Sequence, residues 1–416
     1  MRRALRVVIA GCFAAASASG QGLPPWVEPG RLPLDEGVHS LSVRGRDEPL
    51  YTEPDTGAAR RGAAARGARL PLFGVARGPG CRTDFYLVGP TAWICGDAVD
   101  PSPDAPPSGA ADSPSADGLP FRYFFVGADG AFGYEALASA EDTKPSAELE
   151  PGFAIAVIQF ASRASGDPFG LTTKGLWLPL RDLRAARPAD FAGYDVVDGK
   201  LDRGFVVVDA SAPRGSPGGR RVDGVLRRFE TVRVLETRSI RGHVWVEIGE
   251  DRWIDGDDVR IPAPVSAPPE IRPGERWIDV DRETQVLTAY EGATPVFATL
   301  VSTGIGGGED PTVTPAGTHR VWVKLRTTDM TNLEDEEARR YYAIQEVPWV
   351  LFFDRGYGLH GAFWHQGFGH VRSHGCVNLA PRDAERIFSW SSPRLPPGWS
   401  AALPTEYDPG TVVRVR

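Results

Sequence analysis

The sequence predicts a mainly β protein assembled from several small units, and three observations carry that expectation. Apolar and polar residues alternate at period two in Val232-Arg233-Val234-Leu235 and in His243-Val244-Trp245-Val246-Glu247-Ile248, the pattern of half-buried strands. A short tryptophan pattern recurs as Trp93-Ile94-Cys95-Gly96-Asp97-Ala98-Val99, Trp177-Leu178-Pro179-Leu180-Arg181-Asp182-Leu183 and Trp253-Ile254-Asp255-Gly256-Asp257-Asp258-Val259. Each copy has Trp, an aliphatic, an acid four or five residues on and an aliphatic six on; the uneven spacing excludes a solenoid. Two stretches rich in Pro, Ser, Ala and Asp, residues 101–119 and 261–275, read as linkers. They divide the 416 residues into an N-terminal part at 38–100, a middle part at 120–260 and a C-terminal part at 276–416.

Residues 1–20 read as an export signal. Met1-Arg2-Arg3 is a positive start, Val7 to Ala16 a short apolar run, and Ala16-Ser17-Ala18 a small-residue cleavage site. Ile9-Ala10-Gly11-Cys12 offers the rival reading, a lipoprotein site at which Cys12 is lipidated. Only that second reading brings in a membrane. Export places Cys81 and Cys95, fourteen residues apart, where a disulfide can form; two independent core cysteines are the alternative. The formal charge is −8 without a basic stripe, so nucleic acid is not an expected partner.

In the C-terminal part, 276–304 reads as short strands, Thr318 to Lys324 as another, and Val347 to Phe353 as a strand leading to His360. Between them an insertion of about twenty residues starts at Asn332, read as the N-cap of a short helix with Glu334, Asp335, Glu336 and Glu337 in its first turn. Its charge run is either a lid beside the site or a solvated helix face. Pro381 opens a second helix, with Ala384, Ile387 and Phe388 on its inward face.

Chemistry concentrates in Ser373-His374-Gly375-Cys376-Val377-Asn378 and in Leu359-His360-Gly361. A thiol attacks as its thiolate, and a nearby imidazole generates that form near neutral pH. His360, sixteen residues before Cys376, suits the base; His374 is too close in sequence to be assumed to serve. A buried structural cysteine is the plain alternative. A metal site is another, because His360, His365, His370, His374 and Cys376 lie within seventeen residues. Zinc sites, however, pair their ligands at short Cys-Cys and His-His spacings that this stretch lacks. No metal or cofactor is expected, and His365 and His370 read as loop residues without assigned chemistry.

These residues resemble the L,D-transpeptidases with a YkuD-type catalytic domain. The resemblance rests on His360, Gly361, Ser373, His374, Gly375, Cys376 and Val377. Trp277-Ile278-Asp279-Val280-Asp281, Thr284-Gln285-Val286-Leu287, Val301-Ser302-Thr303-Gly304 and Thr314-Pro315-Ala316-Gly317-Thr318 agree upstream, as do Phe352, Gly356, Tyr357 and Gly358. Many members carry arginine where this chain has Asn378. The resemblance implies a β-sandwich with short helices, Cys376 as nucleophile, His360 as base and the Gly361 carbonyl orienting the imidazole. Ser373, His374, Gly375 and Asn378 become candidates for oxyanion or substrate contacts. It implies acyl transfer from a stem tetrapeptide of peptidoglycan to an amine, on a neighbouring stem or an anchored outer-membrane or wall protein. Transfer to water, which trims the tetrapeptide, is equally compatible, and an inert wall-binding protein is the reading from another class. The upstream tryptophan units resemble, more loosely, bacterial SH3-like barrels of wall enzymes. Their tryptophans are either wall-binding residues or core aromatics. The implied location is the periplasm or cell wall.

Overall fold

The computed structural model describes residues 37–106, 116–306, 312–334 and 341–416. The expected export signal with Cys12, part of the 101–119 stretch and the acidic run from Asp335 fall outside these residues. Among the described residues strands dominate and there is one α-helix, Pro381–Trp390.

In the C-terminal part, Arg276–Asp281, Val286–Glu291 and Thr294–Ser302 form an antiparallel meander. Val412–Val415 runs parallel beside the first of them and antiparallel to Gly317–Arg320. A second layer is built from Val323–Thr331, Ala343–Asp354, Tyr357–Gly361 and Val377–Leu379. Thr294–Ser302 also pairs with Val377–Leu379, so one strand ties the two layers together. Between them lie Ile278, Val280, Leu287, Phe297, Val301, Leu351, Leu359, Val377 and Leu379. Alternation explains this packing: Ile278 and Val280 face the core while Trp277, Asp279 and Asp281 face the other way. Those carboxylates are buried against Arg414 and Arg416, with Asp279 2.7 Å from Arg414.

The helix begins at Pro381, whose missing N–H has no partner to lose at a first turn. It buries Ala384, Ile387 and Phe388 against the layered core. At its end the buried Lys324 Nζ donates to the carbonyls of Phe388 and Ser391, which closes the negative end of the helix dipole, while burial holds the amine down at about 7.

Upstream, each tryptophan pattern folds the same way. Ala92–Cys95, Trp177–Pro179 and Arg252–Asp255 each run into one turn of 3-10 helix and leave it as another strand at Val99, Leu183 or Val259. Three small cores accompany them, around Leu41, Leu50 and Ile94, around Val126, Ile155 and Leu178, and around Val206, Val246 and Ile254. Trp93 and Trp253 are buried at 4% and 5% exposure, and Trp177 is half-buried. The first and last are core aromatics, not open binding faces. Cys81 and Cys95 form a disulfide.

Strand pairing crosses the boundaries that the sequence suggests. Gly62 and Ala63 pair with Ala402 and Ala401, Ala154 pairs with Ile344, and Tyr194 pairs with Ala298. Trp399, from the C-terminal part, lies in the core of the first unit. The stretch 261–275 is also packed: Val265, Ala267 and Ile271 cover Trp277, Tyr290 and Val412.

Candidate active site

Two neighbouring parallel strands bring the candidate nucleophile and base together. Tyr357–Gly361 and Val377–Leu379 run side by side with Leu359 opposite Val377 and His360 opposite Asn378. One step back, Cys376 falls opposite Gly358. Cys376 and His360 are therefore diagonal neighbours on one face of the sheet, because residues two apart in a strand share a face.

His360 is 2% exposed, and its Nδ1 donates to the Gly361 carbonyl at 3.2 Å. With the ring proton fixed there, Nε2 keeps a lone pair and is the basic atom. Burial holds this imidazole down at about 4, against an opposing contribution from the Gly361 carbonyl. Cys376 is the free cysteine among the described residues, and its Sγ lies 3.8 Å from the Gly356 carbonyl. Burial pushes its thiol up, with the Gly358 backbone pulling the other way. Both shifts favour a neutral thiol beside a neutral imidazole over an ion pair.

The turn that presents Cys376 is built from the other motif residues. Ser373 Oγ donates to the Cys376 carbonyl and accepts the Gly375 N–H at 3.1 Å. Gly375 has φ +117°, a conformation that side chains rarely adopt. The Thr303 carbonyl accepts the N–H groups of Arg372 and Ser373, while Gln285 Oε1 takes the Thr303 N–H at 2.8 Å. Thr314 Oγ1 takes that of Gly304 at 2.9 Å. This is the physical reason the distant Thr-Gln, Ser-Thr-Gly and Thr-Pro-Ala-Gly segments accompany the cysteine.

The groups of Ser373, Gly375 and Asn378 expected to contact substrate are engaged within the protein in this structure. The Ser373 hydroxyl donates to the Cys376 carbonyl and accepts the Gly375 N–H, so both groups are used inside the turn. Asn378 is 3% exposed, with its amide 3.0 Å from His365 Nε2. His365 Nδ1 accepts the Gly367 N–H at 3.0 Å, so the neutral ring carries its proton on Nε2 and the amide presents oxygen to it. That orientation also gives the otherwise unpartnered Oδ1 a donor. Burial, then Arg372 and His360, hold His365 down at about 3. His374 is exposed and stacks on Tyr342 with ring centroids 5.9 Å apart.

Two residues beside the site were not singled out from sequence. His365 lacked a signal because its partner, Asn378, is thirteen residues away. Tyr342 lies at the far end of the insertion that starts at Asn332, and the Asn332 side chain accepts the Tyr342 N–H at 2.7 Å. Burial and the neighbouring Cys376 raise the Tyr342 phenol. The metal alternative gains nothing: among the described residues, the groupings that could hold an ion lie upstream, around the Cys81–Cys95 disulfide and at His243, Asp255 and Asp257.

Residues 275–415 match the YkuD family, the L,D-transpeptidase catalytic domain. The YkuD match begins at residue 275, after the tryptophan units, which therefore carry no family assignment. Among solved structures, the chain is similar to a variant of an Enterococcus faecium L,D-transpeptidase at 23% identity, over 34% of this chain and 50% of that one, with a TM-score of 0.26. It is similar to an L,D-transpeptidase from Stackebrandtia nassauensis at 26% identity, over 34% and 55%, with a TM-score of 0.23. A third, from Mycobacterium smegmatis, shares 17% identity over 56% and 89%, with a TM-score of 0.26. The chain spans about half the length of the first two. No curated protein matches.

Proposed function

We propose that the protein is a peptidoglycan L,D-transpeptidase that uses Cys376 as its nucleophile. The YkuD match over 275–415 carries this reading, and the diagonal pairing of Cys376 with His360 supports it. His360 Nε2 takes the thiol proton as the sulfur attacks the carbonyl between a diamino acid and D-alanine of a stem tetrapeptide. It then returns that proton to the leaving D-alanine amine. A resting neutral pair delays charge separation until substrate is in place. The Cys376 N–H, at the end of the turn shaped by Ser373 and Gly375, is the proposed oxyanion donor. The thioester passes to an amine of a neighbouring stem or of an anchored protein, and in the competing outcome to water. We place the protein in the periplasm or wall. The Cys81–Cys95 disulfide supports an oxidising compartment, and among the described residues no helix is long and apolar enough to cross a membrane.

The decisive experiment incubates the protein with tetrapeptide muropeptides and reads the products by mass spectrometry. Cross-linked dimers or exchanged termini support the transpeptidase; tripeptides alone support trimming. A carbapenem should give a covalent adduct on the parent chain and none on Cys376→Ala. An adduct of equal mass on the alanine variant would sink the nucleophile assignment.

A further inference from the structure

The loop joining the candidate base to the candidate nucleophile is walled by residues from far upstream. Phe363, three residues after His360 and fully buried, stacks on Tyr123 with ring centroids 4.0 Å apart. Phe363 meets Trp364 edge-on at 5.1 Å, and Trp364 stacks on the His360 imidazole at 5.6 Å. Tyr123 is itself buried in the cluster of Leu119, Ala154 and Ala156, and its hydroxyl donates to the Glu346 carbonyl at 2.6 Å. Rotating that ring away would leave a buried phenol unpaired. An unbroken chain of aromatic contacts thus runs from the second upstream unit to the base.

We propose that Tyr123 is a positioning residue for His360, fixing the plane of the imidazole through Phe363 and Trp364. The hydrogen bond from Nδ1 to the Gly361 carbonyl leaves the ring free to tilt about a single axis. Stacking removes that freedom and keeps Nε2 turned to the side where Cys376 lies. It also keeps water from the imidazole. The titratable groups facing His360 are Cys376 across the strand pair and His365, with Arg372 behind it; a change at Tyr123 alters none of them. The upstream unit is then a component of the catalytic centre.

The test uses the full chain with Tyr123→Leu and Tyr123→Phe and takes two readouts. One is the NMR titration of the His360 imidazole, and the other is the pH profile of carbapenem acylation at Cys376. Tyr123→Leu should move the His360 titration up toward the ordinary imidazole range and slow acylation about tenfold or more, as displaced catalytic groups do. Tyr123→Phe, which keeps the stack, should stay close to the parent in both. Phe363→Leu breaks the same stack from the loop side and gives the same readouts should Tyr123→Leu not fold. Folded leucine variants with an unchanged titration and an unchanged rate profile overturn the proposal. The acylation arm rests on the transpeptidase reading; if the parent chain is not acylated, that reading fails and the titration still decides the role of Tyr123.

Discussion

The YkuD-matching region and the units upstream of it are both β structures, yet they encode themselves differently. In the former, individual residue types are fixed by what each atom must do. Gly375 adopts positive φ, Ser373 bonds two backbone groups at once, and His360 ties one ring nitrogen to the Gly361 carbonyl. Upstream, the same strand, 3-10 turn and strand arise three times from different residues. Packing there asks only for an aromatic, an aliphatic and a turn-forming acid at the right separations. Chemistry specifies identity, whereas packing specifies size and period. The two regions are nonetheless one folded body where they meet, because strands and aromatic rings are shared across the boundary.

The largest effect that could break this comparison is deletion of residues 1–275. The loss uncovers Trp399, Phe363 and the strand edges at Ala401–Ala402 and Phe297–Ala298, and exposed edges and apolar surface favour aggregation. We expect no soluble, cooperatively unfolding C-terminal fragment. Circular dichroism and thermal unfolding of the purified fragment check this. A soluble fragment that reacts with a carbapenem at the full rate would show the YkuD region to be independent.

Next in size are Trp253→Ala and Trp93→Ala. Removing a buried tryptophan costs about 3–5 kcal/mol, measured as a shift in denaturant midpoint of the full chain. Loss of binding to wall sacculi without loss of stability would make these residues ligand contacts instead.

This asymmetry explains what could be read from sequence. The β class, the helix from Pro381, the tryptophan pattern and the Cys376–His360 pairing were legible because each rests on local periodicity or on a motif with narrow chemistry. The sharing of strands was not, because Gly62, Ala154 and Tyr194 reveal nothing in sequence about partners more than a hundred residues away. Pro-rich composition at 261–275 suggested a free linker, yet three apolar residues there suffice to dock it on Trp277 and Tyr290. His365 stayed hidden since a lone histidine in a loop looks solvated until its partner is placed.

A smaller effect is expected at Asp383, on the helix, which accepts the Gly193 N–H at 2.9 Å and the Thr299 hydroxyl and so clamps the upstream chain. Asp383→Ala should cost about 1–3 kcal/mol through the donors left unpaired. Burial pushes this carboxyl up to about 7 from 3.8, so the folded state holds a proton that the unfolded chain releases. Its contribution is present below pH 3.8 and is lost as pH rises through 7. His360 and His365, held down, act with the opposite sign: their contribution is intact above pH 6.5 and falls as pH drops below it. Asp383→Asn should therefore remove this downward contribution, so that stability in urea unfolding climbs more steeply between pH 4 and 7 than in the parent. An unchanged slope would mean that Asp383 is ionised throughout.

The smallest effect separates buried from exposed contacts across the same boundary. His370 is exposed, and its Nε2 lies 3.2 Å from the Val207 carbonyl of the third unit. Water replaces such a bond readily, so His370→Ala should cost no more than about 1 kcal/mol and leave carbapenem acylation unchanged. His365→Ala, a few residues away but buried, strips a partner from Asn378 and from the Gly367 N–H, and should cost about 1–3 kcal/mol. Side-by-side denaturation and acylation rates make the measurement. If His370→Ala slowed acylation more than His365→Ala, the coupling between the two regions would run through the third unit's surface contact, and the buried path from Tyr123 would be secondary.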